Sequence, residues 1–293
     1  MLVAVLSGKG GTGKTLLSVN LAAASENSTY IDCDVEEPNG HIFLKPEPME
    51  EKDVAVQIPQ VDMNLCNGCR KCVDFCNFNA LAYVIDSLLV FEEICHSCGG
   101  CVLVCPEKAL KEKERVIGKT LHGISSHNIS GRMIVHTGLL NTGEASGIPI
   151  IKDLLDFDND AKSNPVFIDC PPGSACIVME SIKNADYCIL VAEPTLFGVH
   201  NLEMVYQLVS LFDKPFGVVL NKCLDGEYNP SQDFCEKKGI KILGSIPYDT
   251  QLGLLNSNGE IAVEVSERYR DIFTNLLNTI REECRQFETA FNT

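Results

Sequence analysis

Two groups of residues in this 293-residue chain have types and spacings that point to chemistry. The first is residues 7–15, SGKGGTGKT, which follows an apolar run at 2–6 and leads into LLSVNLAAA. It reads G-x-x-x-x-G-K-T from Gly8 through Gly13, Lys14 and Thr15, in the strand, loop and helix setting that a phosphate-binding loop requires. Glycines let successive N–H groups turn inward on phosphate oxygens, and a helix starting near Lys14 adds its positive end. Gly8, Lys9, Gly10, Gly11, Thr12, Gly13, Lys14 and Thr15 are therefore the expected cradle for nucleotide phosphates. Lys14 neutralises the β- and γ-phosphates and the Thr15 hydroxyl ligates Mg²⁺. A glycine-rich turn that binds nothing is disfavoured, because every position of the pattern and its context agree.

The second group is cysteine. Eight of the 15 cysteines fall between Cys66 and Cys105, in MNLCNGCRKCVDFCNFNAL and EEICHSCGGCVLVCPEKAL, two copies of C-x2-C-x2-C-x3-C that end in Ala-Leu. With no export signal visible, such usage points to metal rather than disulfides. The doubled run resembles the two-cluster bacterial ferredoxins. By that resemblance three close thiolates hold one 4Fe–4S cluster and the fourth crosses to the other. One cluster takes Cys66, Cys69, Cys72 and Cys105, and the second takes Cys95, Cys98, Cys101 and Cys76. Zinc is the competing reading, since C-x2-C pairs suit tetrahedral Zn²⁺; two four-cysteine runs of equal spacing favour clusters. Pro106 follows the last cysteine as the pattern asks, whereas Asn77 stands where the first copy should have proline. Gly68, Gly99 and Gly100 permit the tight backbone that brings N–H groups toward cluster sulfurs.

The second lysine of the phosphate loop, Lys9, resembles the deviant Walker A motif of the MinD/ParA/Mrp ATPases and the nitrogenase iron protein. That resemblance implies ATP, and a sandwich homodimer or a heterodimer with a related ATPase, in which Lys9 reaches the partner's nucleotide. It also implies roles further along the chain. The run DCDVEEPN resembles the family's first switch: Asp34 positions or activates the attacking water, and Asp32 lies near Mg²⁺. VFIDCPPGS delivers Asp169 toward Mg²⁺ in the manner of a Walker B strand, and Gly173 begins a second switch. Asn221 matches the residue that reads the adenine edge, and Pro247 begins the loop that closes over the base. Strand-end acidic residues without catalytic work are the plain alternative for Asp32, Asp34 and Asp169. Cys176 lies at an offset from Asp169 like that of a bridging cysteine in the iron protein, but a second ligand has no counterpart; a buried thiol is the expected role.

These residues need elements to hold them. Apolar stretches at 28–31, 165–168, 187–191, 216–220 and 242–246 alternate with helical ones at 16–24, 200–212 and 231–238, and strands are also expected at 111–121 and 131–139. A polar loop is expected at 159–164. Strands alternating with helices predict an α/β fold with a doubly wound, mostly parallel sheet. A small α+β ferredoxin-like domain interrupts it. The expected division is 1–48 and 113–293 for the ATPase domain and 49–112 for the insert. Residues 266–291 place apolar side chains at helical spacing, with acidic residues among the basic ones, so this helix packs on the sheet rather than on a membrane.

A net charge of −16 argues against unaided nucleic-acid or anionic-membrane binding. No apolar run reaches membrane-span length, and a soluble cytoplasmic protein is expected. The six histidines show no ligand spacing. The whole chain resembles MinD-superfamily ATPases with an inserted ferredoxin domain. That implies an ATPase coupled to two 4Fe–4S clusters, for ATP-gated electron transfer or for work on a redox or metalloprotein partner. The alternatives are an iron–sulfur assembly scaffold or carrier, and a positioning protein whose clusters only stabilise the insert.

Overall fold

A computed structural model describes residues 1–128, 131–156 and 164–291. Most of the polar loop expected at 159–164 thus lies outside the described residues. The strands are β1 (Leu2–Leu6), β2 (Ser28–Asp32), β3 (Glu50–Val61), β4 (Leu81–Val84), β5 (Ser87–Val90), β6 (Leu110–Ser125), β7 (Met133–Leu140), β8 (Val166–Asp169), β9 (Tyr187–Ala192), β10 (Phe216–Cys223) and β11 (Ile242–Pro247). Among the described residues nine of them form one sheet in the order β11-β10-β9-β1-β8-β2-β7-β6-β3, and β4 and β5 form a separate hairpin. Neighbours from β11 to β7 run parallel, while β6 pairs antiparallel with both β7 and β3.

Central strands of a parallel sheet are covered on both faces, which is why their sequences are continuously apolar. Alternate residues serve opposite cores: Val3 and Val5 pack with the long C-terminal helix, while Ala4 and Leu6 pack on the other face. That helix, Glu267–Phe291, buries Tyr269, Phe273, Leu277 and Ile280 against the sheet. No helix of the described residues is long and apolar enough to cross a membrane.

The sequence reading anticipated no strand at 50–61, and β6 is longer than the 111–121 expected. Together β3 and β6 build an arm. The last residue of β7, Leu140, pairs with Gly118, so the β6 residues before Gly118 and the β3 residues after Val54 run on beyond the carboxyl ends of the parallel strands. A register shift between Val54 and Ala55 marks the departure, as a bulge that bends a strand does. Seven further pairs of residues, 55–61 against 110–116, carry the arm about 20 Å outward. At its tip, residues 62–109 form a lobe with the β4–β5 hairpin, two short α-helices, a single 3-10 turn at Glu92–Ile94 and all eight closely spaced cysteines. The arm leaves from the edge of the sheet where open α/β folds place their ligands.

Candidate functional site

The turn after β1 is held as a phosphate cradle from several sides. Gly13 caps the Lys14–Ala24 helix in a left-handed conformation at φ 103°, where a Cβ would sit 2.2 Å from the Asn221 amide nitrogen. Only glycine permits both that backbone and that approach. Asn221 donates to the Thr12 carbonyl at 2.7 Å, and Lys222 donates to the Gly11 carbonyl at 2.9 Å. Thr12 and Ser7 hydroxyls donate to the Lys9 carbonyl, and Gly173 N–H donates to the Ser7 carbonyl at 2.9 Å. The turn is therefore bonded to the end of β10 and to the segment after β8.

A cleft of about 500 Å³ opens beside it, lined among others by Gly11, Gly13, Lys14, Thr15, Asn221 and Pro247. Gly8 and Thr12 are not in the cleft lining, and a Cβ at Gly8 would meet the Asn201 backbone at 2.3 Å. The Thr250–Ser257 helix supplies the outer wall through Leu252, Gly253 and Asn256. Asp249 caps it through Gln251 and Leu252 N–H and accepts from Tyr269 at 2.9 Å, which anchors the loop that starts at Pro247. Sequence reasoning missed this helix, although an aspartate just ahead of TQLGLL is a start signal.

Two carboxylates, Asp34 and Asp169, feel the charge of Lys14, which is only 6% exposed, and a third, Asp32, neighbours them both. Asp32 is fully buried and accepts from the N–H groups of Asp34, Asn39 and Gly40, so its oxygens shape the loop after β2. Burial and the nearby Asp169 nevertheless push its carboxyl well above the ordinary range. Asp169 accepts from the Tyr30 hydroxyl at 3.0 Å through one oxygen. Its other oxygen is buried without a partner. A buried orphan acceptor beside Thr15 and Lys14 fits a divalent cation or its water. Asp34 is half-buried; burial pushes its carboxyl up to about 6, partly offset by Lys14 and reinforced by Asp169.

Lys9 sits outside the cleft lining. Its ammonium pairs with Glu193 at 2.6 Å and lies 5.3 Å from the centre of the exposed Phe197 ring. The other Glu193 oxygen takes Lys222 at 2.6 Å. Burial would raise this carboxyl, but the bonds from Lys222 and Lys9 outweigh it and hold it below its usual value. Glu193 and Lys222 carry no local motif and were not anticipated.

In the lobe, the two cysteine runs repeat one backbone at an offset of 29 positions. Left-handed residues recur in matched pairs: Gly68 with Ser97, Arg70 with Gly99, Asn79 with Lys108. The helices Lys71–Phe75 and Gly100–Leu103 begin at equivalent positions. Each run surrounds a cavity with a crossed fourth cysteine. Cys66, Cys69, Cys72 and Cys105 line one of about 20 Å³, and Cys76, Cys95, Cys98 and Cys101 line one of about 220 Å³. Arg70 over the Tyr83 ring borders the smaller. The larger is bordered by the stacked rings of Phe78 and His96, 3.9 Å apart. Burial pushes the thiols of Cys72, Cys95 and Cys101 up, Cys101 to about 11. Among the described residues no three His, Cys, Asp or Glu side chains close on a single point as one ion's ligands do. Cys176 is exposed at the start of the Cys176–Ile182 helix, contrary to the buried thiol expected there.

A strand, phosphate loop and helix with two strand-end aspartates define a P-loop nucleotide-binding protein on a mostly parallel sheet. The CobQ/CobB/MinD/ParA nucleotide binding domain family matches residues 3–263, and the chain belongs to it. It is thus a nucleotide-binding protein of the MinD/ParA ATPase type. An uncharacterized protein of Methanocaldococcus jannaschii is 28% identical over 89% of this chain and 90% of its own length. The MinD cell division protein of Aquifex aeolicus shares the fold at a TM-score of 0.58 and 16% identity, covering 96% of each chain. MinD of Pyrococcus horikoshii, solved with Mg-ADP, does so at 0.56 and 17%, covering 95% of each.

Proposed function

We propose that this chain is an ATP-hydrolysing, ATP-dimerising protein that holds two 4Fe–4S clusters and exchanges electrons with a redox or metalloprotein partner under nucleotide control. In this reading residues 1–48 and 113–293 form the ATPase domain and 49–112 the ferredoxin-like insert. The observation that carries it is the pair of cavities, each lined by four cysteines with the fourth drawn from the other run. A tetrahedral zinc site would bring its sulfurs within about 3.8 Å of one another, given Zn–S of about 2.3 Å. A cubane, with a metal at each of four corners, spreads its thiolates around a volume instead. The donor set and the repeated left-handed turns suit that group, whose chemistry when bound is one-electron exchange.

The chain's own residues have these tasks. Lys14 and the loop N–H groups hold the phosphates, and Thr15 with the unpartnered Asp169 oxygen holds Mg²⁺ in place. Asp32 fixes the loop that carries Asp34, and Asp34 orients the attacking water. Asn221 and the loop at Pro247 receive the base. Lys9 leaves Glu193 to meet the partner's phosphates, which makes dimerisation a condition for hydrolysis.

Iron and acid-labile sulfide analysis of anaerobically purified protein tests the cluster half of the proposal. About eight of each per chain are expected for two clusters; two zincs without sulfide would sink it. Midpoint potentials measured with Mg-ADP and with a non-hydrolysable ATP analogue test the control half. Identical values and reduction rates would remove it.

A further inference from the structure

Between the ATPase body and the lobe stands a side chain bonded to both, Arg115 on the arm strand β6. Its guanidinium is largely buried, with 17% of the side chain exposed. One nitrogen donates to the Glu144 carboxylate at 2.6 Å, and another donates to the backbone carbonyl of Glu92 at 2.8 Å. Lys113, two residues earlier on the same strand, pairs with the Glu92 carboxylate at 2.6 Å.

Each end of this link leads to a site. Glu144, 8% exposed, lies in the loop after β7. The end of β7 from which that loop leaves is fastened to the residue beside Asp34: Leu140 N–H donates to the Val35 carbonyl at 2.8 Å. A Cβ at Gly147, in the same loop, would lie 2.4 Å from Val35 and 3.2 Å from Ile177, on the helix that follows Gly173. The loop is thus wedged between the segments after β2 and β8. At the other end, the Glu92 carbonyl also accepts from Cys95 N–H at 3.2 Å. Arg115 therefore fixes the turn that presents the first cysteine of the larger cavity. The equivalent turn of the first run is tied differently, through Asp62 N–H on the Ala109 carbonyl at 2.7 Å, within the lobe's own base.

We propose that Arg115 is the positioning residue that carries the nucleotide state of the cleft to the Cys95 site, and not to the Cys66 site. This rests on the nucleotide-controlled reading above. Spatial continuity alone transmits nothing. What sets Arg115 apart is that one rigid planar group is charge-bonded to a loop of the ATPase body and bonded to a backbone carbonyl of the lobe. When the Val35 segment moves on ATP binding, Glu144 moves with it. Arg115 follows, and the Glu92 turn with it.

Hydrogen exchange of the full anaerobic protein, read by mass spectrometry with Mg-ADP and with Mg plus a non-hydrolysable ATP analogue, tests this. In the unaltered protein, exchange over 92–101 should differ between the nucleotides by about fivefold or more, the low end of allosteric coupling, with 62–72 unchanged. Arg115→Ala should abolish that difference while nucleotide affinity stays the same, Glu144→Gln should reduce it, and Arg115→Lys should retain part of it. A merely structural role would raise exchange equally with both nucleotides and leave their ratio intact, which would overturn the proposal. So would an equal response at 62–72. No difference anywhere in 62–109 of the unaltered protein would sink the controlled reading itself, and the Arg115 route with it.

Discussion

The nucleotide cleft and the cysteine lobe are built on opposite terms. The cleft is the rim of a sheet whose two cores bury large side chains completely, Tyr30, Phe167 and Tyr187 among them. The buried hydrophobic cluster of the lobe is small: Cys72, Leu81, Leu88, Cys101 and Leu110. Around it Phe75, Phe78, Ile85 and Leu103 stand exposed, Leu103 at 86% and Ile85 at 94%. A unit of this size has little apolar area to set against chain entropy and ordinarily needs a staple. The difference teaches that the ATPase body has a core large enough to hold its shape unaided, whereas the lobe has little apolar core of its own and would gain most from the clusters proposed for it.

The largest effect expected follows directly. Stripping iron with a chelator under denaturant-free conditions should remove hydrogen-exchange protection throughout 62–109, because binding energy at such a site is folding energy. Protection in β1, β2 and β8 should persist. A lobe that stays protected without iron would break the contrast.

Lys14→Ala should act in the opposite region. It removes the cation toward which Asp34 and Asp169 are turned, leaving buried carboxylates uncompensated. The variant also lacks the charge-assisted contact proposed to hold the phosphates, worth about 1.5–3 kcal/mol, so Mg-ATP affinity should fall by about 10- to 100-fold. Titration of the variant with Mg-ATP reads this, and iron content should stay as it was. If iron were lost too, the two regions would not be independent.

Gly13→Ala is a gentler probe of the same rim. A side chain at φ 103°, aimed at the Asn221 amide, strains the backbone and pushes away a group lining the cleft. Strain of about 1–2 kcal/mol corresponds to roughly a tenfold loss of nucleotide affinity. Equal affinities in the two proteins would show that Asn221 is not held by the phosphate loop.

What the sequence disclosed divides along the same line. A phosphate loop is legible because its residues are consecutive and its conformation demands glycine at fixed places. The parallel sheet was legible because buried strands such as β1 and β9 are unbroken apolar runs. The strand β3 was not: its first four residues, Glu50 to Asp53, are all charged, Pro59 breaks its strand-like sequence pattern, and it is an edge strand that pairs with β6 alone among the described residues. The helix expected at 200–212 starts at 196, where Thr195 caps it by accepting from Gly198 N–H at 2.9 Å. Glu193 and Lys222 were out of reach for another reason. They meet Lys9 and Gly11 only through folding, from more than 180 positions away, and no local pattern marks a carboxylate that will hold two lysines.

That carboxylate supplies the smallest effect and the finest test of the cleft. In one chain Lys9 is held back by Glu193, and release must precede any contact with a partner's phosphates. The pair is partly buried, with side-chain exposures of 32% and 10%, so its disruption is worth about 1 kcal/mol, between exposed and buried ion pairs. Glu193→Gln keeps the shape and removes the charge. Lys9 is then freer to cross, and with Mg-ATP bound the apparent dimer dissociation constant should fall by about fivefold, the equivalent of that energy. Lys9→Ala should raise it instead. Lys222 also loses a partner in Glu193→Gln, so Mg-ATP affinity must be measured beside dimerisation; its bond to the Gly11 carbonyl should keep that affinity nearly constant. Sedimentation in the Asp34→Ala background, where hydrolysis should be slowed under the role proposed for Asp34, gives the reading. Weaker dimerisation with nucleotide still bound would mean that Glu193 orders Lys9 for the partner rather than restraining it. The cleft would then be prearranged for dimerisation even in the single chain.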